Sequence, residues 1–352
     1  MDKGTQLRLA VLGISGYTGA ELLRLIASHP SLRLCHALGR SQVGTPLGRI
    51  HPQLACYRDV VVESLDAYDL SDKVDAALLA LPHQTSMEHV SRLNKQGVCA
   101  IDLSADFRLT EQSVYEKWYA KHLAPQLLKK AVYGMVDLFP EGIDQADIIS
   151  VPGCYPTASV LAAAPLIKNK LIALDTIIVD AKSGVSGAGK TPSAASHFAE
   201  CSEGVRAYKM GGLHRHTPEI EQSLSKLAEE QVTITFSPHL IPMTRGILAT
   251  VYAKSSDATL TAEQCTEAAK ILYKDSALVH VLDGGQNPDT LHVRGSNQCH
   301  LSYTVDKRTG RVIAQAAIDN LVKGAAGQAI QCLNLRFGLS RDTGVDSSAI
   351  FP

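Results

Sequence analysis

The chain has 352 residues, 45% of them hydrophobic, 20% charged and 5% aromatic, the balance of a globular chain long enough for about two hydrophobic cores. Lys plus Arg total 34 against 35 for Asp plus Glu, a formal charge of −1. Without a basic block the chain has no footprint for nucleic acid, only room for a local basic pocket around a small anion. The cysteines at 35, 56, 99, 154, 201, 265, 299 and 332 are too scattered for a CxxC or Cys/His pattern, so no metal is expected, and a chain of this size needs no disulfide staples. Nothing reaches the roughly 18 apolar residues of a membrane span, and no signal-peptide core is visible. The expectation is a cytoplasmic protein with reduced thiols and no membrane partner.

In chain order, Leu7–Leu12 reads as a short buried strand that breaks into a glycine turn. A helix follows, with Leu22, Leu23, Leu25 and Ile26 inward and Glu21 and Arg24 outward, ending near His29-Pro30. Strands are expected over 32–38, 75–81 and 98–103, with helical segments between them. Such alternation implies a parallel, doubly wound sheet, so residues 1–151 read as an α/β, Rossmann-type dinucleotide-binding domain. At Val151-Pro152-Gly153-Cys154-Tyr155-Pro156 the texture changes. Residues 152–316 read as an α+β second domain with a mixed, largely antiparallel sheet. Its elements are a helix over 156–168, a strand over 175–181, a glycine-rich loop, a helix opening at Thr217-Pro218, and strands within 232–236, 247–253 and 300–305. The tail over 317–335 is apolar with helical period, and the segment from about 317 to 352 is expected to complete the first domain.

Gly13, Gly16 and Gly19 form a G-x-x-G-x-x-G turn between strand and helix. Glycines permit close approach of main-chain N–H groups, so Gly13, Ser15, Gly16, Tyr17, Thr18 and Gly19 are candidates to hold a pyrophosphate on the helix N-terminus. Where NAD-preferring domains carry an acid, this chain has Arg40 and Ser41. A cation and a hydroxyl suit a 2′-phosphate, so NADP is the expected cofactor. Cys154, in Pro152-Gly153-Cys154-Tyr155-Pro156-Thr157, precedes an apolar helix whose positive end favours a nucleophilic thiolate. The stretch from Gly211 to Glu221 delivers His214 and His216, candidate acid/base groups, with Arg215 to a helix start where Thr217 is the expected N-cap and Pro218 the first helical residue. Residues 184–191, GVSGAGKT, satisfy the phosphate-loop pattern of a kinase or NTPase. Their mid-chain position, without an evident magnesium-binding Asp, suits instead a loop whose Ser186–Gly189 amides face a substrate phosphate.

Taken together, residues 13–22 (GISGYTGAEL), 103–109 (LSADFRL), Tyr133-Gly134, 152–157 (PGCYPT), 183–189 (SGVSGAG), His214-Arg215-His216-x-Pro218-Glu219 and Pro242-Met243-x-Arg245-Gly246 closely resemble the N-acetyl-gamma-glutamyl-phosphate reductase family, over nearly the whole chain. The resemblance implies a semialdehyde dehydrogenase-like fold, with 152–316 as its catalytic, substrate and oligomerisation domain, and, in arginine biosynthesis, NADPH-dependent reduction of N-acetyl-glutamyl 5-phosphate to the semialdehyde. It implies Cys154 as nucleophile and His214, with His216 as alternate, as acid/base. Ser183, Gly184 and Asn320 become further cofactor contacts, and Ser186, Gly187, Lys190, Arg215, Glu219 and Arg245 contacts to a small acyl-phosphate substrate. A homo-oligomer, tetramer or dimer, is expected by the same resemblance. In that family 183–189 recurs without nucleotide-triphosphate chemistry, which disposes of the phosphate-loop kinase. Reductases of N-acetyl-aminoadipyl phosphate or aspartyl phosphate are the alternatives within the mechanism.

Overall fold

The computed structural model describes residues 6–193 and 196–352, and the chain divides into two compact units. The first takes the residues up to Pro152 together with Ala325–Val345. Its strands are β1 (Leu7–Leu12), β2 (Leu32–Gly39), β3 (Glu63–Ser64), β4 (Ala76–Leu79), β5 (Cys99–Asp102), β6 (Ala131–Tyr133) and β7 (Ile148–Ser150). They form one seven-stranded sheet in the order β3-β2-β1-β4-β5-β7-β6, and each paired strand runs parallel to its neighbour. The sequence dictates this. Leu9 to Leu12 and Ala76 to Leu79 are continuous apolar runs with no exposed surface, the mark of strands covered on both faces. Helices α1 (Tyr17–Ser28) and α2 (Ser86–Lys95) are among the crossovers, and the helix Gly327–Arg336 packs beside α1. One departure from the sequence reading lies on α1: Glu21 is buried rather than outward, its carboxylate met by Arg24 at 2.6 Å.

The second unit takes Gly153–Gly324 and Asp346–Pro352, so the expected completing tail is divided between the two. Its strands are β8 (Ile178–Gly184), β9 (Arg206–Ala207), β10 (Thr235–Ile241), β11 (Ile247–Lys254), β12 (Val279–Val281), β13 (Cys299–Asp306) and β14 (Arg311–Ile318). The sheet order is β12-β13-β14-β11-β8-β10-β9. Pairings β8/β10 and β12/β13 are parallel, and β9/β10, β8/β11, β11/β14 and β13/β14 antiparallel, the mixed sheet read from the sequence. Helix α3 (Cys154–Lys168) is buried from Tyr155 to Ile167 and crosses β11 and β14, with α4 (Thr217–Ala228) against it and α5 (Ala262–Leu272) alongside. A helix apolar all round belongs at the centre of a core. Among the described residues no helix is long and apolar enough to cross a membrane, and no disulfide is formed.

Candidate active site

In the first unit the glycine turn lies at the carboxyl end of β1. Gly13 adopts φ +90°, and a Cβ there would lie 2.3 Å from Ala80 O, at the end of β4. One at Gly19 would lie 2.4 Å from Gly13 O. The missing side chains let turn, sheet and helix close on one another. Gly16 is the N-cap of α1, and the first turn of that helix holds no acid. The first intrahelical bond runs from Ala20 N–H to Gly16 O, so the amides of Tyr17, Thr18 and Gly19 form the positive end of the dipole. This cradle of main-chain donors fits the pyrophosphate of a nicotinamide dinucleotide. Gly13 N–H donates to Leu38 O at 2.9 Å, which ties the turn to the end of β2, where Arg40 and Ser41 stand exposed.

In the second unit Cys154 is the first residue of α3, with Gly153 as N-cap. The Gly153 amide donates to Glu219 Oε1 at 2.8 Å, and Gly153 O accepts from Thr157 Oγ1 at 2.9 Å. From the other side Gly324 closes in so tightly that a Cβ there would lie 2.8 Å from Cys154 Cβ. The next residue, Tyr155, donates to His239 O and accepts from Tyr208 Oη, both at 3.1 Å. Its ring meets those of His214 and His216 edge-on, at 5.5 and 5.9 Å between centroids. Burial raises the Tyr155 phenol well above its ordinary pKa and the Tyr208 phenol to about 12, so both remain protonated.

His214 lies against Tyr155, Tyr208 and Phe236. Burial, with the charges of Lys209 and Arg215 adding to it, pushes its pKa down to about 4. The ring is therefore neutral at pH 7. His216 N–H donates to its Nδ1 at 3.1 Å, which leaves the proton of the neutral ring on Nε2. One stretch thus grips both flanks of Cys154: the His214 ring on Tyr155, the Glu219 carboxylate on Gly153. Glu219, 1% exposed, is better read as a residue that positions the Cys154 turn than as the substrate contact expected from the sequence. Nor is Thr217 the N-cap of α4; His216 is, and Thr217 opens the helix ahead of Pro218.

The same end of the second sheet gathers further expected residues. Ser183 and Gly184 finish β8. The loop beyond is stitched to the turn before β11: Gly184, Val185 and Ser186 donate to the carbonyls of Gly246, Met243 and Thr244 at 2.9, 2.9 and 3.1 Å. Asn320 donates to Ser186 Oγ at 3.0 Å and accepts from Gly246 N–H at 2.8 Å. Arg245 meets the fully buried Asp319 at 3.2 Å. That carboxylate also accepts from the amides of Gly295, Leu321 and Val322 at 2.7, 2.8 and 3.1 Å, so the guanidinium is held by an anion that is itself fixed.

These bonds correct the reading of 184–191. The Ser186 and Gly189 amides are engaged by Thr244 O and Ser186 O and cannot face a phosphate. No helix begins at Lys190-Thr191, so the dipole a phosphate loop needs is absent there too. Lys190 and Gly187 are exposed, and Arg215 is half-buried. Sequence reasoning passed over Tyr155, Tyr208 and Asp319. Tyr155 lay inside the quoted cysteine motif, and Asp319-Asn320 is a polar pair ending an apolar strand. Tyr208 gave no local signal. Among the described residues no cluster of three or more His, Cys, Asp or Glu side chains could hold a metal ion.

Fold and site together define a semialdehyde dehydrogenase. The sequence model described as the semialdehyde dehydrogenase NAD binding domain matches residues 8–146, and that of the dimerisation domain matches 154–320. Aspartate semialdehyde dehydrogenase II from Vibrio cholerae shares the fold at TM-score 0.72 and 17% identity, over 94% of this chain and 98% of that one. The Candida albicans aspartate semialdehyde dehydrogenase with NADP does so at 0.70 and 14%, over the same shares. More specific are two curated relatives called N-acetyl-gamma-glutamyl-phosphate reductase. That of Geobacter sp. (strain M21) is 47% identical and that of Desulfotalea psychrophila 42%, each over 98% of this chain and 100% of the relative. The chain belongs to the N-acetyl-gamma-glutamyl-phosphate reductase family.

Proposed function

We propose that this chain reduces N-acetyl-L-glutamyl 5-phosphate to N-acetyl-L-glutamate 5-semialdehyde with NADPH, through a thioester on Cys154, in arginine biosynthesis. The observation that carries the reading is Cys154 at the first position of α3, flanked by the Glu219 contact to Gly153 and the His214 contact to Tyr155. The helix dipole favours the thiolate. Attack on the acyl carbon forms the C–S bond, breaks the bond from carbon to the phosphate oxygen and releases phosphate. NADPH, when bound, supplies the hydride that reduces the thioester. His214, neutral with its proton on Nε2, is suited to donate to the oxyanion that develops on the former carbonyl, with His216 as alternate. When that oxygen gives its proton back, the C–S bond breaks, the aldehyde leaves and the Cys154 thiolate returns.

In this reading Gly13, Ser15, Gly16, Tyr17, Thr18 and Gly19 hold the cofactor pyrophosphate, and Ser183, Gly184 and Asn320 are further cofactor contacts. Arg245, fixed by Asp319, clamps the substrate's carboxylate or phosphate, with Ser186, Gly187, Lys190 and Arg215 around it. Arg40 and Ser41 select NADP. The exposed guanidinium of Arg40 has only a loose 3.7 Å pair with Asp66, a weak contact that a 2′-phosphate displaces. Residues 1–151, joined by Ala325–Val345 of the tail, serve as the dinucleotide-binding domain and 152–316 as the catalytic and oligomerisation domain of a cytoplasmic homo-oligomer, dimer or tetramer.

The decisive assay is oxidation of N-acetyl-glutamate semialdehyde in the reverse direction, followed by NADPH absorbance. It should require both NADP and inorganic phosphate. Oxidation of aspartate semialdehyde at a comparable kcat/KM would overturn the assignment. Arg40→Ala should cut the NADPH/NADH preference about tenfold, and an unchanged ratio would remove Arg40 from cofactor selection.

A further inference from the structure

The first sheet winds outward in two directions from β1 and β4, its order being β3-β2-β1-β4-β5-β7-β6. In such sheets a ligand lies outside the carboxyl ends of the strands, where the winding reverses, so the loops after β1 and β4 flank the dinucleotide crevice. The first wall is the glycine turn. The second is loop 80–85, which touches it: a Cβ at Gly13 would lie 2.3 Å from Ala80 O and 3.1 Å from Leu81 Cδ2. This second wall is strained. Gln84 has φ +72°, in the left-handed region that a side chain disfavours and that persists only where the surroundings enforce it. What enforces it is Asp106, in the loop after β5, whose Oδ1 accepts the Gln84 N–H at 2.8 Å. Beside that bond the Ala105 N–H donates to His83 Nδ1 at 3.0 Å.

Asp106 is itself anchored. Its Oδ1 also accepts from Tyr115 Oη at 2.8 Å, its N–H donates to Ser104 Oγ at 3.0 Å, and its carbonyl accepts from His122 Nε2 at 2.8 Å. As a stability device it is a poor choice. The residue is fully buried, its Oδ2 meets no hydrogen-bond partner among the described residues, and it faces repulsion from the fully buried Asp102, a placement that costs the fold. We propose that Asp106 is a positioning residue for the cofactor: through the Gln84 amide it holds loop 80–85 in the shape that forms the second wall of the crevice, so that binding does not have to supply that strain. The inference rests on the cofactor reading above and goes beyond the residues that touch the dinucleotide in it.

The test is a cycle of four proteins, wild type, Asp106→Ala, Gln84→Gly and the double variant, each titrated with NADPH and followed by its fluorescence. Asp106→Ala should weaken binding about tenfold, the strain of one left-handed residue expressed as affinity. Without cofactor, the amides of 83–86 in that variant should exchange with deuterium faster than in wild type. Gln84→Gly should bind within about twofold of wild type, because glycine takes this φ without cost. On that background Asp106→Ala should cost less than about threefold, the non-additivity of residues that act as a unit. Asp106→Asn, which keeps the accepting oxygen and drops the charge, should bind as wild type does. If Asp106→Ala fails to fold because it strands the Tyr115 phenol, Tyr115→Phe is carried in every arm. Equal losses with and without Gln84→Gly would make Asp106 a structural residue only and overturn the inference. So would wild-type affinity in Asp106→Ala, or binding by Asp106→Asn as weak as by Asp106→Ala. A wild type that does not bind NADPH would sink the cofactor reading itself, a separate result.

Discussion

The glycine turn of the first unit and the cysteine cluster of the second present different atoms. In the first, the useful groups are main-chain amides, and the residues matter for what they lack: a single Cβ at Gly13 would run into Ala80 O at 2.3 Å. In the second, side chains do the work, and each is held by another: Cys154 by Gly324 and the Glu219 contact, Arg245 by Asp319, His214 by Tyr155 and the His216 amide. A main-chain site is damaged by adding an atom, a side-chain site by removing one. The two should therefore fail in opposite ways.

The largest effect is expected at Cys154. Cys154→Ser, which exchanges one atom, should lower kcat by roughly 10³-fold or more, as loss of a covalent nucleophile does, and leave the NADPH dissociation constant within twofold. Near wild-type turnover would show that no thioester forms. His214→Asn should lose about 10²-fold in kcat, in the range for a general acid, and more than His216→Asn; the reverse ranking exchanges their roles. Gly13→Ala should show the mirror image. Strain at φ +90° and the clash with Ala80 should destabilise the chain by about 2–4 kcal/mol and weaken NADPH binding, while the alkylation rate of Cys154 by iodoacetamide stays as in wild type. A Gly13→Ala protein that binds NADPH normally would break the contrast.

The same contrast decides what the sequence discloses. The glycine turn is local: strand, turn and helix lie within Leu7–Ser28, so its residues and the close packing they allow are legible in one window. The parallel sheet is legible for a related reason, since runs such as 76–79 have no polar face. Short β3, β6 and β7, of two or three residues each, carry no period to read. In the second unit only Cys154 and the His-Arg-His stretch stand out locally. Asp319 is visible as a residue, but its role follows from bonds to positions 245 and 295, and Tyr208 reaches Tyr155 across 53 residues. The phosphate-loop pattern at 184–191 shows the opposite error, a local match undone by main-chain bonds to 243–246.

Two buried titratable groups give the finest test, because they respond to pH in opposite directions. His214 has a folded-state pKa near 4 against 6.5 unfolded, so the unfolded chain binds the proton more readily. Its contribution to stability is complete above pH 6.5 and is lost as pH falls toward 4. In the first unit Asp102 is fully buried, and burial, with the nearby Asp106 adding to it, raises its carboxyl to about 6 from 3.8. There the folded chain binds the proton more tightly, so that contribution is complete below pH 3.8 and is lost as pH rises through 6. Over pH 4–6 the two slopes oppose each other in the wild type. Asp102→Asn should unmask the histidine, and the melting temperature should rise more steeply with pH than in wild type. His214→Asn should unmask the acid and tilt the profile the other way. Parallel profiles for the two variants would show that these groups do not titrate as their surroundings dictate.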